Sequence, residues 1–286
     1  MNTEILHYSA FTNDPAGGNQ AGIVLDARDL SDAAMQAIAA DLAYSESVFL
    51  SPRSDGDFDV RYFSPKAEVS FCGHATIAAT VALADRQGPG EWDLHTVSGR
   101  VRVSVDARRQ ATLVSVAPRV EPIADADLEA LLALLGWQAR DLDPSLLPAV
   151  AYAGAWHPVL VATSRDRLAD LAYDFDALAA LMARRQWTTV SLVWRETPAS
   201  LHARNPFPPG GVVEDAATGA AAAALGAYLA SRDALPPSRE FTIRQGEDMG
   251  RPSRLHVHVP PNPAEGIRVS GSAVELPAPE RPGLRA

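Results

Sequence analysis

The residues best suited to move a proton are Glu46, set between Ser45 and Ser47, Cys72 and His74 on either side of Gly73, and Asp215 beside Glu214. A carboxyl group can take a proton from carbon when burial or a neighbouring charge raises its pKa toward neutrality. Glu46 precedes the apolar Val48-Phe49-Leu50, so it reads either as a solvated strand edge or as such a base. His74 reads as a structural partner at a helix start, as a substrate ligand or as a proton-transfer group. Asp215 reads as an N-cap, and capping is compatible with substrate contact. Cys72 is either a small buried hydrophobe or a thiolate lowered by the helix start.

His74 and Asp215 occupy corresponding places. Phe63-Ser64-Pro65 ends a strand, Cys72-Gly73-His74-Ala75-Thr76 follows, and residues 77–84 are almost wholly apolar. Farther on, Glu214-Asp215-Ala216-Ala217-Thr218-Gly219-Ala220 opens a second such run over 221–230. A helix apolar all round is buried. Its first four N–H groups lack intrahelical partners and attract an anion. The N–H groups near Gly73, His74, Thr218 and Gly219 are therefore expected to hold a substrate carboxylate where the two helix starts converge. Laying Cys72 on Ala216 gives an offset of 216 − 72 = 144, about half of the 286 residues, and suggests two similar lobes.

Several elements must position these groups. Residues 5–11 and 21–25 read as strands around the turn-rich 13–20, and Ser31 caps a helix to about Leu42. Residues 44–50 and 58–62 read as strands, the second alternating apolar with charged. Strands over 92–96, 99–105 and 111–116 follow at hairpin spacing, and 118–122 reads as a linker into the second lobe. That lobe takes helices over 128–135 and 176–185 and strands over 149–152, 159–162, 190–194 and 201–204. Strands over 241–245 and 255–259 come next, with His256 and His258 on a solvated face rather than ligating a metal. A last strand over 267–276 returns to the first lobe.

Composition narrows the function. A content of 47% hydrophobic and 21% charged residues is that of a soluble globular chain. The net charge of −10, with no basic cluster longer than two residues, argues against a nucleic-acid partner. No apolar run reaches the roughly 18 residues of a membrane span. Residues 1–5 lack the layout of a signal peptide, so a cytoplasmic location is expected. The single cysteine, Cys72, forbids an internal disulfide and a multi-cysteine metal site.

Taken together, Gly18-Asn19, Ser45-Glu46, Tyr62-Phe63-Ser64-Pro65 with Glu68, Phe71-Cys72-Gly73-His74-Ala75-Thr76, Glu214-Asp215 with Ala217-Thr218-Gly219, and Gln245-Gly246 with Met249-Gly250-Arg251-Pro252-Ser253 resemble the phenazine-biosynthesis isomerase family (PhzF-like), within the diaminopimelate epimerase fold. The resemblance covers nearly the whole chain. It implies an α+β protein of two similar lobes, each an antiparallel sheet wrapped round a central buried helix, with the active site between them. It also implies a cofactor-free proton shift with Glu46 as acid/base. His74, Gly73 and Asp215 match positions that bind or orient the substrate, and Asn19, Ser45, Thr218, Gly219 and Ala220 join them as substrate-binding candidates. The family usually writes Asp-Pro-Ala-Thr-Gly-Ser, whereas Ala216 and Ala220 stand here, and the hydroxyl missing at Ala220 removes a donor.

The expected lobes are residues 1–118 with 267–286, carrying Glu46, Gly73 and His74, and residues 119–266, carrying Asp215 and Gly219. The expected function is isomerisation of a small carboxylate-bearing substrate, amino-acid-like or dihydro-hydroxyanthranilate-like, with no cofactor or metal. The family resemblance adds a homodimer. Diaminopimelate epimerases use one cysteine from each lobe, and Ala216 stands opposite Cys72 in the overlay, which disfavours two-thiol epimerisation. Epimerisation through Cys72 and non-catalytic binding of a small acid are the alternatives.

Overall fold

A computed structural model of the protein describes residues 3–278. The first half of the chain opens with strands β1 (Leu6–Ala10) and β2 (Asn19–Val24), helix α1 (Asp32–Leu42), and strands β3 (Glu46–Pro52), β4 (Phe58–Phe63) and β5 (Glu68–Val69). Helix α2 (Gly73–Gln87) and strands β6 (Gly90–Thr96), β7 (Gly99–Val105) and β8 (Ala111–Val114) complete it. Then come β9 (Arg119–Pro122), α3 (Asp125–Leu135), β10 (Ala149–Tyr152), β11 (Trp156–Ala162), α4 (Arg165–Ala169) and α5 (Phe175–Arg185). Strands β12 (Ser191–Thr197), β13 (Ser200–Phe207) and β14 (Val212–Asp215) lead to helix α6 (Gly219–Ser231). Strands β15 (Glu240–Gln245), β16 (Ser253–His258), β17 (Arg268–Gly271) and β18 (Ala273–Glu275) follow.

The second half repeats the pairing of the first. Antiparallel β1–β2 matches β10–β11, and parallel β2–β3 matches β11–β12. The long strand β4 pairs with β3 along its length, with β5 at one end and in parallel with β6 at the other; β13 does the same with β12, β14 and β15. Each half is thus an α+β lobe whose mainly antiparallel sheet contains two parallel pairs. Antiparallel pairing of β8 with β17 fuses the lobes into one curled sheet.

Two segments differ from expectation. The linker over 118–122 contains strand β9, which pairs antiparallel with β10. The single strand expected over 267–276 is two: β17 bridges β16 and β8, while β18 pairs with β1. The break has a steric cause. A Cβ on Gly271 would lie 2.3 Å from Phe11 Cδ1, and the next residue, Ser272, gives its carbonyl to the Phe11 N–H at 2.7 Å.

Period-two alternation sorts the strands between two layers. In β3, Val48 and Leu50 join the main core and Phe49 the outer cluster under α1; in β11, Val159 and Val161 face in while Leu160 and Ala162 face α3 and α5. The main core encloses α2 and α6, which are buried continuously from Gly73 to Leu83 and from Gly219 to Leu229. Their starts meet at glycine: a Cβ on Gly73 would lie 2.9 Å from Gly219 Cα and 3.1 Å from Ala220 N. Only residues without side chains allow that approach. The helix caps, Cys72 and Thr218, stand 218 − 72 = 146 residues apart, two more than the offset of the motif overlay.

Candidate active site

Strand geometry brings the first three groups together. Asn19, Ala21 and Ile23 share the inner face of β2, and Glu46, Val48 and Leu50 that of β3, with Ala21 opposite Glu46 in parallel register. Both polar residues therefore point at the start of α2, where His74 stands. Asp215 arrives from the other lobe at the end of β14. Glu46 is 5% exposed, His74 2% and Asp215 5%.

Asn19 ties the lobes at this point. Its Nδ2 lies 2.6 Å from Asp215 Oδ1, 3.1 Å from the Ala217 carbonyl and 3.0 Å from His74 Nδ1, so two amide hydrogens face three acceptors. Asp215 Oδ2 accepts from Thr218 Oγ1 at 2.7 Å. Asp215 is thus not an N-cap: that position is Thr218, three residues later, and its side chain caps nothing. Gln245 locks the turn by donating to the Asp215 carbonyl at 2.8 Å and to Thr218 Oγ1 at 3.0 Å, and it accepts the Thr218 N–H at 3.2 Å. That N–H is consequently occupied within the protein.

Glu46 has been left short of partners. Its Oε2 is buried with no hydrogen bond among the described residues, and His74 Nε2 is 3.6 Å away. Ser45 Oγ lies 3.3 Å from that same nitrogen, and Cys72 Sγ lies 3.3 Å from His74 Nδ1. An unpaired buried carboxylate is costly, so the group shifts toward its neutral form. Burial, then the charge of Asp215, pushes Glu46 up to about 7; Ser45 and Cys72 pull it only partway back. Burial also raises Asp215, against the pull of Thr218 and Asn19. His74 is driven down to about 3 by burial, which its backbone contact at Gln20 does not offset. Cys72 is pushed well above the usual thiol range by burial and by Glu46. The result is a neutral imidazole, a protonated thiol and a carboxyl that changes charge near neutrality. Glu46, Cys72 and His74 could between them offer a metal three ligand atoms within 4.8 Å of one another.

A cleft of about 160 Å³ reaches this cluster between the lobes. Asn19, Ser45, Asp215 and Ala216 line it, together with Tyr44, Met249 and Arg251. Glu46 and His74 lie directly behind Ser45 and Asn19. Gly73, Thr218, Gly219 and Ala220 are buried beneath and do not line it. Of the residues that sequence reasoning overlooked as site groups, Gln245 and Arg251 carried a signal, since both belong to the Gln-Gly and Gly-Arg-Pro-Ser stretches that carry the family resemblance.

Comparison with known proteins shows the family and the fold. The sequence profile of the family described as phenazine biosynthesis-like protein (PhzC-PhzF) matches residues 8–278. The chain is 33% identical over 281 residues to trans-2,3-dihydro-3-hydroxyanthranilate isomerase of Pseudomonas aeruginosa, covering 93% of this chain and 92% of that protein. It is 32% identical over 289 residues to the uncharacterized isomerase YddE of Escherichia coli K12, covering 96% and 97%. The solved structure of a predicted epimerase from Pseudomonas aeruginosa superposes with a TM-score of 0.86 at 27% identity, over 99% of this chain and 100% of that one.

Proposed function

This chain belongs to the phenazine biosynthesis-like protein family and is an isomerase; from that premise we propose that it shifts a proton on a small carboxylate-bearing substrate without a cofactor, with Glu46 as the acid/base group. The observation that carries the proposal is the unpartnered Oε2 of Glu46, buried behind the cleft with its pKa raised to about 7. A group poised there can accept a proton as carboxylate and return one as acid at neutral pH.

In this reading Glu46 removes a proton from a carbon whose developing charge is conjugated with the substrate's carboxylate or enamine. Water is kept out by burial, which strengthens the interaction between the base and the departing proton. His74 stays neutral and orients the donors around Glu46. Asp215, held by Asn19 and Thr218, orients the substrate from the opposite lobe. Glu46 then delivers its proton to another carbon, giving an isomer. Epimerisation through Cys72 has less support, because its thiol is held protonated and the chain has no second cysteine. We further propose a homodimer on the resemblance alone, to be checked by light scattering.

The test is proton NMR in deuterated water with trans-2,3-dihydro-3-hydroxyanthranilate and a panel of unsaturated and cyclic amino acids. Deuterium entering carbon with wild type, and not with Glu46→Gln, supports the reading. Saturable binding with no exchange into any compound moves the assignment to a small-acid binding protein.

A further inference from the structure

We propose that Glu46, Cys72 and His74 form a site for a borderline-soft divalent cation of the Zn²⁺ class, and that the metal, once seated, silences Glu46. The metal site stands on geometry; the loss of activity rests on the isomerase reading above.

The three side chains come from two rigid elements. Glu46 opens β3, Cys72 is the cap residue of α2, and His74 lies in the first turn of that helix. Cys72 Sγ is 3.8 Å from His74 Nε2, and the same nitrogen is 3.6 Å from Glu46 Oε2. One ligand atom from each residue lies within 4.8 Å of the other two. Tetrahedral zinc, with bonds of about 2.3 Å to sulfur and about 2.0–2.1 Å to nitrogen or oxygen, separates sulfur from nitrogen by about 3.6 Å and nitrogen from oxygen by about 3.4 Å. The observed spacings therefore need only a small contraction. Thiolate and imidazole also select this class of cation over magnesium and calcium, which take oxygen ligands. Among the described residues, no other group of three such side chains brings its ligand atoms this close.

The charges close as well. Glu46 Oε2 is 95% buried with its residue and has no hydrogen-bond partner among the described residues, so a Lewis acid would satisfy it. A divalent cation with one carboxylate, one thiolate and a neutral imidazole is electrically neutral, the form that a buried site tolerates best. Binding releases the Cys72 thiol proton to solvent, together with the Glu46 proton where it is present, and nothing is oxidised. The Ala75 N–H faces the sulfur and supports the thiolate. Coordination through Nε2 leaves the imidazole proton on Nδ1, 3.3 Å from Cys72 Sγ, and frees the two Asn19 amide hydrogens for Asp215 Oδ1 and the Ala217 carbonyl.

Entry is by way of the cleft. Ser45 lines it, and Ser45 Oγ lies 3.3 Å from His74 Nε2, which puts solvent within reach of the fourth coordination position. A carboxylate oxygen bound to metal cannot take a proton from carbon, so the filled site is an inhibited one.

The test uses the full-length protein, freed of metal by dialysis against a chelator and titrated with Co²⁺ at pH 8. Wild type is expected to show the visible bands of tetrahedral cobalt and a thiolate-to-cobalt charge-transfer band, saturating at one cobalt per chain and lost on addition of Zn²⁺. Cys72 is the single cysteine, so that band can come from no other residue. Cys72→Ser should lose it, and Glu46→Gln should hold cobalt about tenfold or more weakly. Zn²⁺ should lower deuterium exchange by wild type about tenfold or more, a chelator should restore it, and Cys72→Ala, whatever its own rate, should lose most of that sensitivity. No charge-transfer band in folded wild type, or equal cobalt affinity in Glu46→Gln, would overturn the site. Undiminished exchange with the site filled would overturn the inhibition. A filled site in a protein that exchanges deuterium into no substrate leaves the site standing and removes only the isomerase reading.

Discussion

The imidazole Nε2 of His74 lies 3.6 Å from Glu46 Oε2, and near neutral pH the two do not form an ion pair. Burial drives them both toward their neutral forms, His74 down to about 3 and Glu46 up to about 7. The base of this pair should therefore be Glu46 and not His74. kcat/KM is expected to rise with pH through about 7 as the Glu46 carboxyl ionises, and a histidine variant that keeps measurable activity should keep that break. Glu46→Gln is expected to lower deuterium exchange by about 10²- to 10⁴-fold. A variant exchanging at the wild-type rate would remove Glu46 from the chemistry.

The same raised carboxyl makes a prediction about stability. Glu46 titrates near 4.5 when unfolded and near 7 when folded, so the folded state holds the proton longer. Stability then falls as pH rises from about 4.5 to about 7, and the full penalty is present above that window. Glu46→Gln removes the penalty. The variant should be more stable than wild type by about 2–3 kcal/mol at pH 8, and the gap should close near pH 4. Urea unfolding at the two pH values checks both parts.

The glycine contact between the helix starts sets a third expectation. Gly219→Ala would put a Cβ 3.1 Å from Gly73 Cα and 3.3 Å from Gly73 C, where the neighbours are backbone and cannot swing away. A loss of about 1–3 kcal/mol is expected, as for other overpacked cores. Chemical denaturation would show it, and an unchanged midpoint would mean that the lobes can separate there without cost.

Cys72 distinguishes proton shift from thiol chemistry. Its thiol is buried and held protonated, so it should react with a disulfide reagent only after unfolding at pH 7. Cys72→Ala should keep exchange within roughly tenfold of wild type, since loss of a general acid or base costs 10² or more. A larger drop would bring the thiol into the mechanism.

How much of this could be read in advance depended on range. The two central helices were legible because α2 and α6 are apolar on every face, and the cap of α1 because Ser31 accepts the Ala34 N–H three residues on. Glu46, His74 and Asp215 were legible as types, but their meeting was not, since the Asn19 amide that joins two of them reaches across 196 residues. Strand β9 reads as a linker because it is short and bounded by proline, and only its pairing with β10 makes it a strand. Arg251 read as part of a turn. That no carboxylate pairs with it among the described residues is a fact about the fold around it and leaves no trace in its neighbours along the chain.

Strands β9 and β18 carry one more implication. Each follows the last strand of its own half and pairs with the first strand of the other, β9 with β10 and β18 with β1. A polypeptide of half this length would end in a strand with no home and would expose the sheet edge that strand should cover. Such an edge invites pairing with another chain. A second copy could satisfy it by a reciprocal exchange of end strands. The present molecule has the topology of that exchanged dimer with its subunits made continuous, which places a site built from both halves within a single chain.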